Sequence, residues 1–242
     1  MKIIIKFLLF IFLSNGFCQN HNEISPPENI KTIILQELGS EKQIPLIKFG
    51  KTLDFSFDDI NGDEADYYYK ISHRNFDWSP SVLSKNEYIN GMDDQHIQEY
   101  ENSFNTLQLY SHFKLKIPNN DLSITKTGNY FLEIYDDNDE IVFSKKFIIY
   151  KNEAIISTEI KRSRNLNLIN EQQIVQFSIK PKSNFFINPK NNVKTLIFKN
   201  NNIKNNITSL KPQYTIGNTL IYRYDQEASF WAGNEYLNFD NK

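Results

Sequence analysis

The sequence predicts an all-β protein, with an immunoglobulin-like or fibronectin-like β-sandwich domain followed by a second β-sandwich domain. Segments such as Leu53–Phe57 alternate apolar and polar residues, which is the period of a half-buried strand. Turn residues separate these short segments at regular intervals, and an apolar pattern of helical period is nearly absent. Many short strands with regular turn signals are typical of a sandwich and not of an α/β fold.

The first domain is predicted over residues 19–151. Its expected strands are Ile30–Leu38 with a short partner Ile44–Ile47, Leu53–Phe57, Tyr67–His73, Leu107–Ile117, Tyr130–Tyr135 and Ile141–Tyr150. Pro118 ends the long strand, because proline cannot donate to a sheet ladder. The acidic turn at 136–139 joins the last two strands as a hairpin. The segment Gln95–Asn102 leaves room for one or two helical turns.

A short motif supports the immunoglobulin-like class. Gly128-Asn129-Tyr130 enters a strand after a turn and looks like the tyrosine corner of such sandwiches. Gly128 is expected in a turn with positive φ, where a β-branched residue would destabilise the domain.

The second domain is predicted over residues 152–242 and is expected to be incomplete, because the chain ends without an obvious closing element. Its expected strands are Ala154–Ile160, Ile174–Lys180, Val193–Phe198 and Leu220–Tyr224. The Asn-rich tract at 199–206 is expected to be a hairpin loop, since asparagine favours turns.

The N-terminus predicts export. Residues 1–18 have a basic start, an apolar run and then small residues, which is the order of a secretory signal peptide. Cleavage after Cys18 would leave Gln19 first; the alternative is a lipidated Cys18, against which the preceding Phe17 argues. Cys18 is the only cysteine, so the mature chain would have neither a disulfide nor a thiol nucleophile.

The composition argues against nucleic acid and membranes as binding partners. The net charge of −2 indicates no broad attraction to nucleic acid or to an anionic membrane. No segment after the leader is long and apolar enough to span a bilayer as a helix.

The sequence offers little chemistry. The four histidines, His21, His73, His96 and His112, lack metal-ligand spacing, and His73 is interpreted as structural. The acidic stretch 58–64 does not fit an EF-hand loop and is interpreted as a solvated turn. A set of carboxylates could line a sugar site, although nothing in their order requires it: Glu87, Asp93, Asp94, Glu99 and Glu101. We therefore predict no catalytic, metal or cofactor residues, and a protein that is not an enzyme.

Aromatic residues are the interaction candidates. Tyr67 and Tyr69 are expected in the core, whereas Tyr68 points to the opposite face of the same strand. Tyr68, Trp78 and Tyr88 are the candidates for stacking on a carbohydrate or a protein partner.

A series of short motifs, specific in their joint order, resembles the plug protein of the bacterial type IX secretion system. They are Pro26–Thr32, Phe55–Asp59, Tyr67–His73, Trp78–Ser81, Glu87–Gly91, Ser103–Thr106, Ile117–Asn119, Gly128–Tyr130, Ala232–Tyr236 and Phe239-Asp240. The match is good over 26–150 and weaker to 240. Arg74-Asn75 departs from the Cys-Asp pair of the family, and relatives continue past residue 242, so this chain looks truncated.

The resemblance implies a non-enzymatic periplasmic subunit associated with the outer membrane. Such a protein binds the large β-barrel of the translocon and seals its periplasmic opening while no substrate is moving. The alternative is a carbohydrate-binding β-sandwich module attached to a secreted glycoside hydrolase.

Overall fold

Strands account for 49% and helices for 5% of the structure, which confirms the all-β prediction. The structure is a computed structural model that describes residues 22–40, 44–183 and 186–233. Its contacts divide the chain between Tyr150 and Lys151 into two compact units. The predicted leader, with Cys18 and Gln19, and the motif at 239–240 lie outside the described residues. No described helix has the length and apolarity that a membrane span requires.

In its described residues, the first unit contains eleven strands and one helical turn. The strands are β1 Ile30–Glu37, β2 Leu46–Lys48, β3 Leu53–Asp59, β4 Tyr68–Arg74, β5 Ile89–Gly91, β6 Gln95–His96, β7 Glu99–Asn102, β8 Ser111–Ile117, β9 Leu122–Ile124, β10 Gly128–Tyr135 and β11 Ile141–Tyr150; the helical turn α1 is Lys85–Tyr88. One sheet has the order β1-β3-β8-β7 and the other β2-β11-β10-β4-β6, while β5 and β9 form a separate pair. Their inner faces share one apolar core, so the unit is a β-sandwich.

The core is aromatic and joins the two sheets. Along β3 every second residue from Leu53 to Asp59 is buried, as the alternating pattern predicts. Phe57 stacks on Phe113 of its own sheet with the ring centroids 5.1 Å apart, and it meets Phe143 of the other sheet edge-to-face at 5.3 Å. Such pairs add about 0.5–1.5 kcal/mol each beyond their buried area.

The tyrosine corner is confirmed. The Tyr130 hydroxyl donates to the Lys126 carbonyl oxygen at 2.8 Å, four residues upstream. Gly128 opens β10 with a φ of 149°, and a Cβ atom there would collide with the imidazole of His73. Only glycine therefore fits the entry to this strand without strain.

Three local predictions for the first unit were wrong. The short partner β2 pairs in parallel with β11 and not with the opening strand. The segment Gln95–Asn102 forms the short strands β6 and β7 and no helical turn. The long strand starts only at Ser111, because Asn105 adopts a left-handed φ of 56° and the Ser103 amide bonds the Tyr110 carbonyl, which together form a loop.

The interpretation of the acidic stretch 58–64 as a solvated turn is only partly correct, because Asp59 is buried. Asp59 is 1% exposed and accepts from the Tyr67 hydroxyl at 2.8 Å, the Asn29 amide at 2.9 Å and the Asn61 backbone at 3.0 Å. Burial, with Asp59 as a neighbour, raises the pKa of Tyr67 well above its usual value. The carboxylate of Asp59 thus ties the end of β3 to the approach to β4.

The second unit is a single larger sheet with a hairpin. Its strands are β12 Ala154–Arg162, β13 Gln172–Pro181, β14 Leu196–Lys199, β15 Asn202–Thr208, β16 Tyr214–Ile216, β17 Thr219–Tyr222 and β18 Ser229–Trp231; a 3₁₀ turn spans Leu166–Leu168 and the helical turn α2 is Pro189–Asn192. The sheet order is β12-β13-β17-β16 with β18 also on β13, and β14-β15 is the hairpin. Phe177 stacks on Tyr222 at 4.3 Å in its core.

Part of the Asn-rich tract forms the turn of this hairpin. Asn200 and Asn201 take φ values of 51° and 61°, which asparagine tolerates better than most residues. Asn202 and the residues after it belong instead to β15. The predicted loop is therefore two residues long between the strands; Lys199 ends β14, and Asn202 and Asn206 pair with Lys199 and Phe198 across an irregular register.

Candidate docking surface

The loop Ser103–Tyr110 between β7 and β8 is a hydrogen-bonded structure at the surface. The Ser103 amide donates to the Tyr110 carbonyl at 2.8 Å, and the Tyr110 amide donates to the Ser103 hydroxyl at 2.9 Å. The Gln108 side chain donates to the Ile60 carbonyl at 2.7 Å, which fixes the loop on the turn after β3. Gly62 allows the close approach of this loop, since a Cβ there would lie 2.9 Å from the Leu109 Cβ.

Three large apolar side chains stand on this fixed loop. Phe104 is 93% exposed, Leu107 is fully exposed and Leu109 is 57% exposed. Exposed apolar residues that are grouped on one surface mark interaction sites more often than scattered ones do. The loop, called the apolar loop below, is therefore the candidate docking surface of the first unit.

The sequence reasoning missed this surface. Leu107 and Leu109 fit the alternating pattern of β8, and this pattern predicts that they lie on one side of a strand Leu107–Ile117. The signal against that assignment was Ser103–Thr106, a polar segment with an asparagine that favours a turn. Phe104 lies within this segment, which is one of the motifs behind the family resemblance.

A polar cleft of about 360 Å³ adjoins the apolar loop. It is lined by Asp58, Glu101, Asn102, Ser103, Tyr110 and His112. The His112 Nδ1 atom hydrogen-bonds the Asp58 carboxylate, and the Lys114 ammonium donates to Glu101 at 2.8 Å, which lowers the pKa of Glu101. The cleft therefore gives the apolar loop a hydrogen-bonding rim.

The polar groups of this cleft also make contacts within the first unit. The Ser103 hydroxyl accepts from the Tyr110 amide, and the Ser111 hydroxyl donates to Asn102 at 2.8 Å. Across the described ranges, no cluster of three or more histidine, cysteine, aspartate or glutamate side chains is arranged to hold a metal ion.

The predicted interaction residues lie far apart. Tyr68 opens β4 and is partly exposed, with its ring centroid 5.3 Å from that of His96. Trp78 follows the other end of β4, which is about 20 Å away at roughly 3.3 Å per residue. Its ring contacts Phe131 at 5.9 Å, and the Lys146 ammonium lies 4.7 Å from its centroid.

The structure removes Tyr88 from the interaction candidates. Its side chain is 5% exposed, because it ends α1 and packs into the core beside His73 and Tyr130. Burial raises the pKa of Tyr88, as expected for a hydroxyl withdrawn from water. His73 packs against the rings of Tyr88 and Tyr130. Burial lowers the pKa of His73, which agrees with its interpretation as a structural residue.

Cations stack on aromatic rings along the outer face of β4, β10 and β11. Lys70 lies 4.1 Å from the Tyr135 ring centroid, and the Arg74 guanidinium lies 4.7 Å from that of Phe131. Burial raises the pKa of Glu133, against the opposing effect of Arg74 at 3.6 Å. These contacts cover Phe131 and leave its ring unavailable to a partner.

Two of the carboxylates considered for a sugar site have structural roles. Asp93 is 9% exposed and accepts from the Ile71 amide at 2.9 Å and from Lys85 at 2.7 Å. Glu87 closes the capping box of α1 with Ser84, and those bonds lower its pKa. Neither group faces a second carboxylate across the polar cleft.

Fold and surface together define a β-sandwich protein that exposes a fixed apolar loop. The family model for the type 9 secretion system plug protein 1st domain matches residues 30–151, which is half of the chain. This chain belongs to the type IX secretion system plug protein family.

A solved structure is similar over most of the chain. The crystal structure of a hypothetical protein from Parabacteroides merdae has a TM-score of 0.82 and 30% identity, over 89% of this chain and 55% of that one. This chain thus spans about half the length of that protein. No curated protein matches the sequence.

Proposed function

We propose that this protein is a periplasmic plug subunit that binds and seals the periplasmic opening of the type IX outer-membrane translocon. Membership in the plug family over the first unit is the observation that carries this proposal. Export through a signal peptide cleaved after residue 18 would bring the chain to that compartment. The function is binding without turnover, and it needs no cofactor.

The physical argument concerns leakage and reversibility. A wide β-barrel encloses a water-filled channel that must be closed when it is idle. A folded sandwich closes it by shape and surface contact, and leaves without breaking a covalent bond. The apolar core of the first unit makes such a body rigid, since its two sheets interlock through Phe57, Phe113 and Phe143.

The apolar loop supplies the anchor in this proposal. Phe104 and Leu107 expose nearly their whole side chains, and burying such a side chain contributes about 1.5–3 kcal/mol. A few apolar anchors with a polar rim account for most of the binding energy in typical interfaces. The polar cleft with Asp58 and Glu101 lies beside the apolar loop and provides that rim.

The test is a pull-down from native envelopes with the tagged protein. We expect a large outer-membrane barrel to co-purify, and we expect a deletion strain to become permeable to solutes that the envelope normally excludes. The triple variant F104S/L107S/L109S should lose the barrel. The matched control L166S/I187S removes exposed apolar residues of the second unit, at 81% and 80% exposure, and should retain it.

Two outcomes would contradict the proposal. Absence of a barrel from the pull-down together with unchanged permeability in the deletion strain would exclude the plug function. Retention of the barrel by the triple variant would leave the plug function standing and exclude the apolar loop as its anchor.

The carbohydrate-binding alternative loses support at Trp78. A sugar-binding aromatic ring presents a free face, whereas this ring contacts Phe131 and lies under the Lys146 ammonium. A glycan array compares the two functions directly. Specific glycan binding that is lost in W78A would favour the module over the plug.

A further inference from the structure

Within the described residues, the long edge strand β12 of the second unit has no partner strand on one side. It pairs with β13 on one side, and none of the described residues pairs with its other side. No residue of β12 is buried, and Ile156 and Ile160 are 63% and 67% exposed.

Sheet edges are normally protected by proline, a bulge or charges, because an open edge can pair with another strand. β12 has neither proline nor a register shift, and its charges stand only at 159, 161 and 162.

The hydrogen bonds show which backbone groups face outward. The Lys182 amide donates to the Glu153 carbonyl and the Ser163 amide to the Gln172 carbonyl, so odd-numbered residues bond to β13. In an antiparallel pair the hydrogen-bonded positions alternate. The even-numbered residues therefore direct their amide and carbonyl groups to the open side, and these are Ala154, Ile156, Thr158, Ile160 and Arg162.

The exposed isoleucines extend the apolar face of the sheet. Ile156 is directly opposite Ile179 of β13, and Ile160 is opposite Val175. Ile179 and Val175 belong to the core of the second unit. The outermost part of this apolar face is consequently left in water at β12.

We propose that β12 pairs antiparallel with β12 of a second copy of this chain, about a two-fold axis at Thr158. In this register Ile156 of each copy is directly opposite Ile160 of the other, and Thr158 is opposite itself. All outward amide and carbonyl groups of the strand find partners, since the axis lies at the middle of β12. The two sheets become one continuous sheet with an apolar face that crosses the interface.

The sequence of β12 selects a second copy as the occupant. Of the axes that pair most of the strand, at 157, 158 and 159, only the one at Thr158 places isoleucine opposite isoleucine, because moving the axis by one residue to 157 places Ile156 opposite Thr158. Moving the axis to 159 places Ile156 opposite Arg162. A two-fold interface requires this property, since the same surface serves on both subunits. The apolar pairs across the two strands then stabilise the dimer in addition to the backbone hydrogen bonds.

The oligomeric state of the purified protein tests the proposal, independently of any translocon. Sedimentation equilibrium of the wild type should show a dimer. I156E and I160K should each weaken dimerisation by at least about tenfold, because an unpaired charge would be buried at the interface. The double variant I156E/I160K places the new carboxylate of one copy opposite the new ammonium of the other, twice, and should restore the dimer. I216E, at a side chain of 64% exposure on the other edge strand, is the matched control and should leave the dimer intact.

Hydrogen exchange in the unmodified protein gives a second measurement. The amides of Ile156, Thr158 and Ile160 face water in the monomer and are bonded in the dimer. Their exchange should slow as the protein concentration rises, while the amides of Ser157 and Glu159 are protected by β13 throughout. A monomer at all concentrations would overturn the proposal. So would a dimer that I156E leaves intact, or a double variant that stays as monomeric as the single variants.

Discussion

Replacement of Gly128 by alanine should unfold the first unit more easily, for two separable reasons. The φ of 149° is strained for any residue with a Cβ, which costs about 1–3 kcal/mol. The new Cβ also collides with the His73 imidazole, which lies between Tyr88 and Tyr130 with ring centroids 5.6 and 5.0 Å away. Displacing a packed ring costs a further ~1–3 kcal/mol.

A double-mutant cycle separates the two costs. We expect G128A to lower the free energy of unfolding by about 2–6 kcal/mol in the wild type, and by only about 1–3 kcal/mol in H73A, where the collision is absent. G50A is the matched control for strain alone. Its φ is 81° and no atom lies within 4 Å of its added Cβ, so about 1–3 kcal/mol is expected.

Urea unfolding followed by tryptophan fluorescence measures these values. The chain has two tryptophans, Trp78 in the first unit and Trp231 in the second, so a W231F background makes the signal specific for the first unit. An equal loss from G128A with and without His73 would refute the steric argument. A loss below about 1 kcal/mol in both backgrounds would refute the strain argument as well.

Three further predictions concern buried tyrosines. Y130F removes the hydrogen bond to the Lys126 carbonyl and should cost about 0.5–1.5 kcal/mol in the same urea assay; no change would deny the tyrosine corner a stabilising role. Y88A should cost about 3–5 kcal/mol, since a buried ring is lost, whereas Y68A should cost less than about 1 kcal/mol; the reverse order would contradict the observed burial. Burial raises the pKa of Tyr222 to about 12, so folding favours the neutral phenol. The second unit should therefore lose stability as the pH rises from the unfolded-state pKa of about 10 towards 12, and Y222F should flatten that slope in a fluorescence titration of Trp231.

Local patterns determined much of the first unit. The alternation in Leu53–Phe57 identified β3 and its buried face, because a strand places successive side chains on opposite sides. The acidic residues of 136–139 identified the hairpin between β10 and β11, where Asp139 takes a left-handed φ of 61°. The Gly-Asn-Tyr motif identified the tyrosine corner, since its contacts span only four residues. The family resemblance came from short motifs in order, and the matched region 30–151 contains most of them.

Long-range contacts decided the remaining features. Leu107 and Leu109 continue the alternation of β8, yet the bonds of Ser103 to Tyr110 and of Gln108 to Ile60 turn this segment into an exposed loop. Asp59 reads as a solvated residue in an acidic run, and only its contacts with Tyr67 and Asn29 show a buried group.

The sequence by itself determined the fold class, most strands and the family, because strand period, turn chemistry and motif order are properties of neighbouring residues. Tertiary structure alone decided the exposure of large side chains that lie outside the regularly alternating strands. Tyr88 is in the core while Phe104 is outside it, and both are large apolar residues in polar surroundings along the chain. The exposure of such residues depends on which distant parts of the chain pack against them, and for β12 on whether another strand lies beside it, so the residues next to them in the sequence do not determine it.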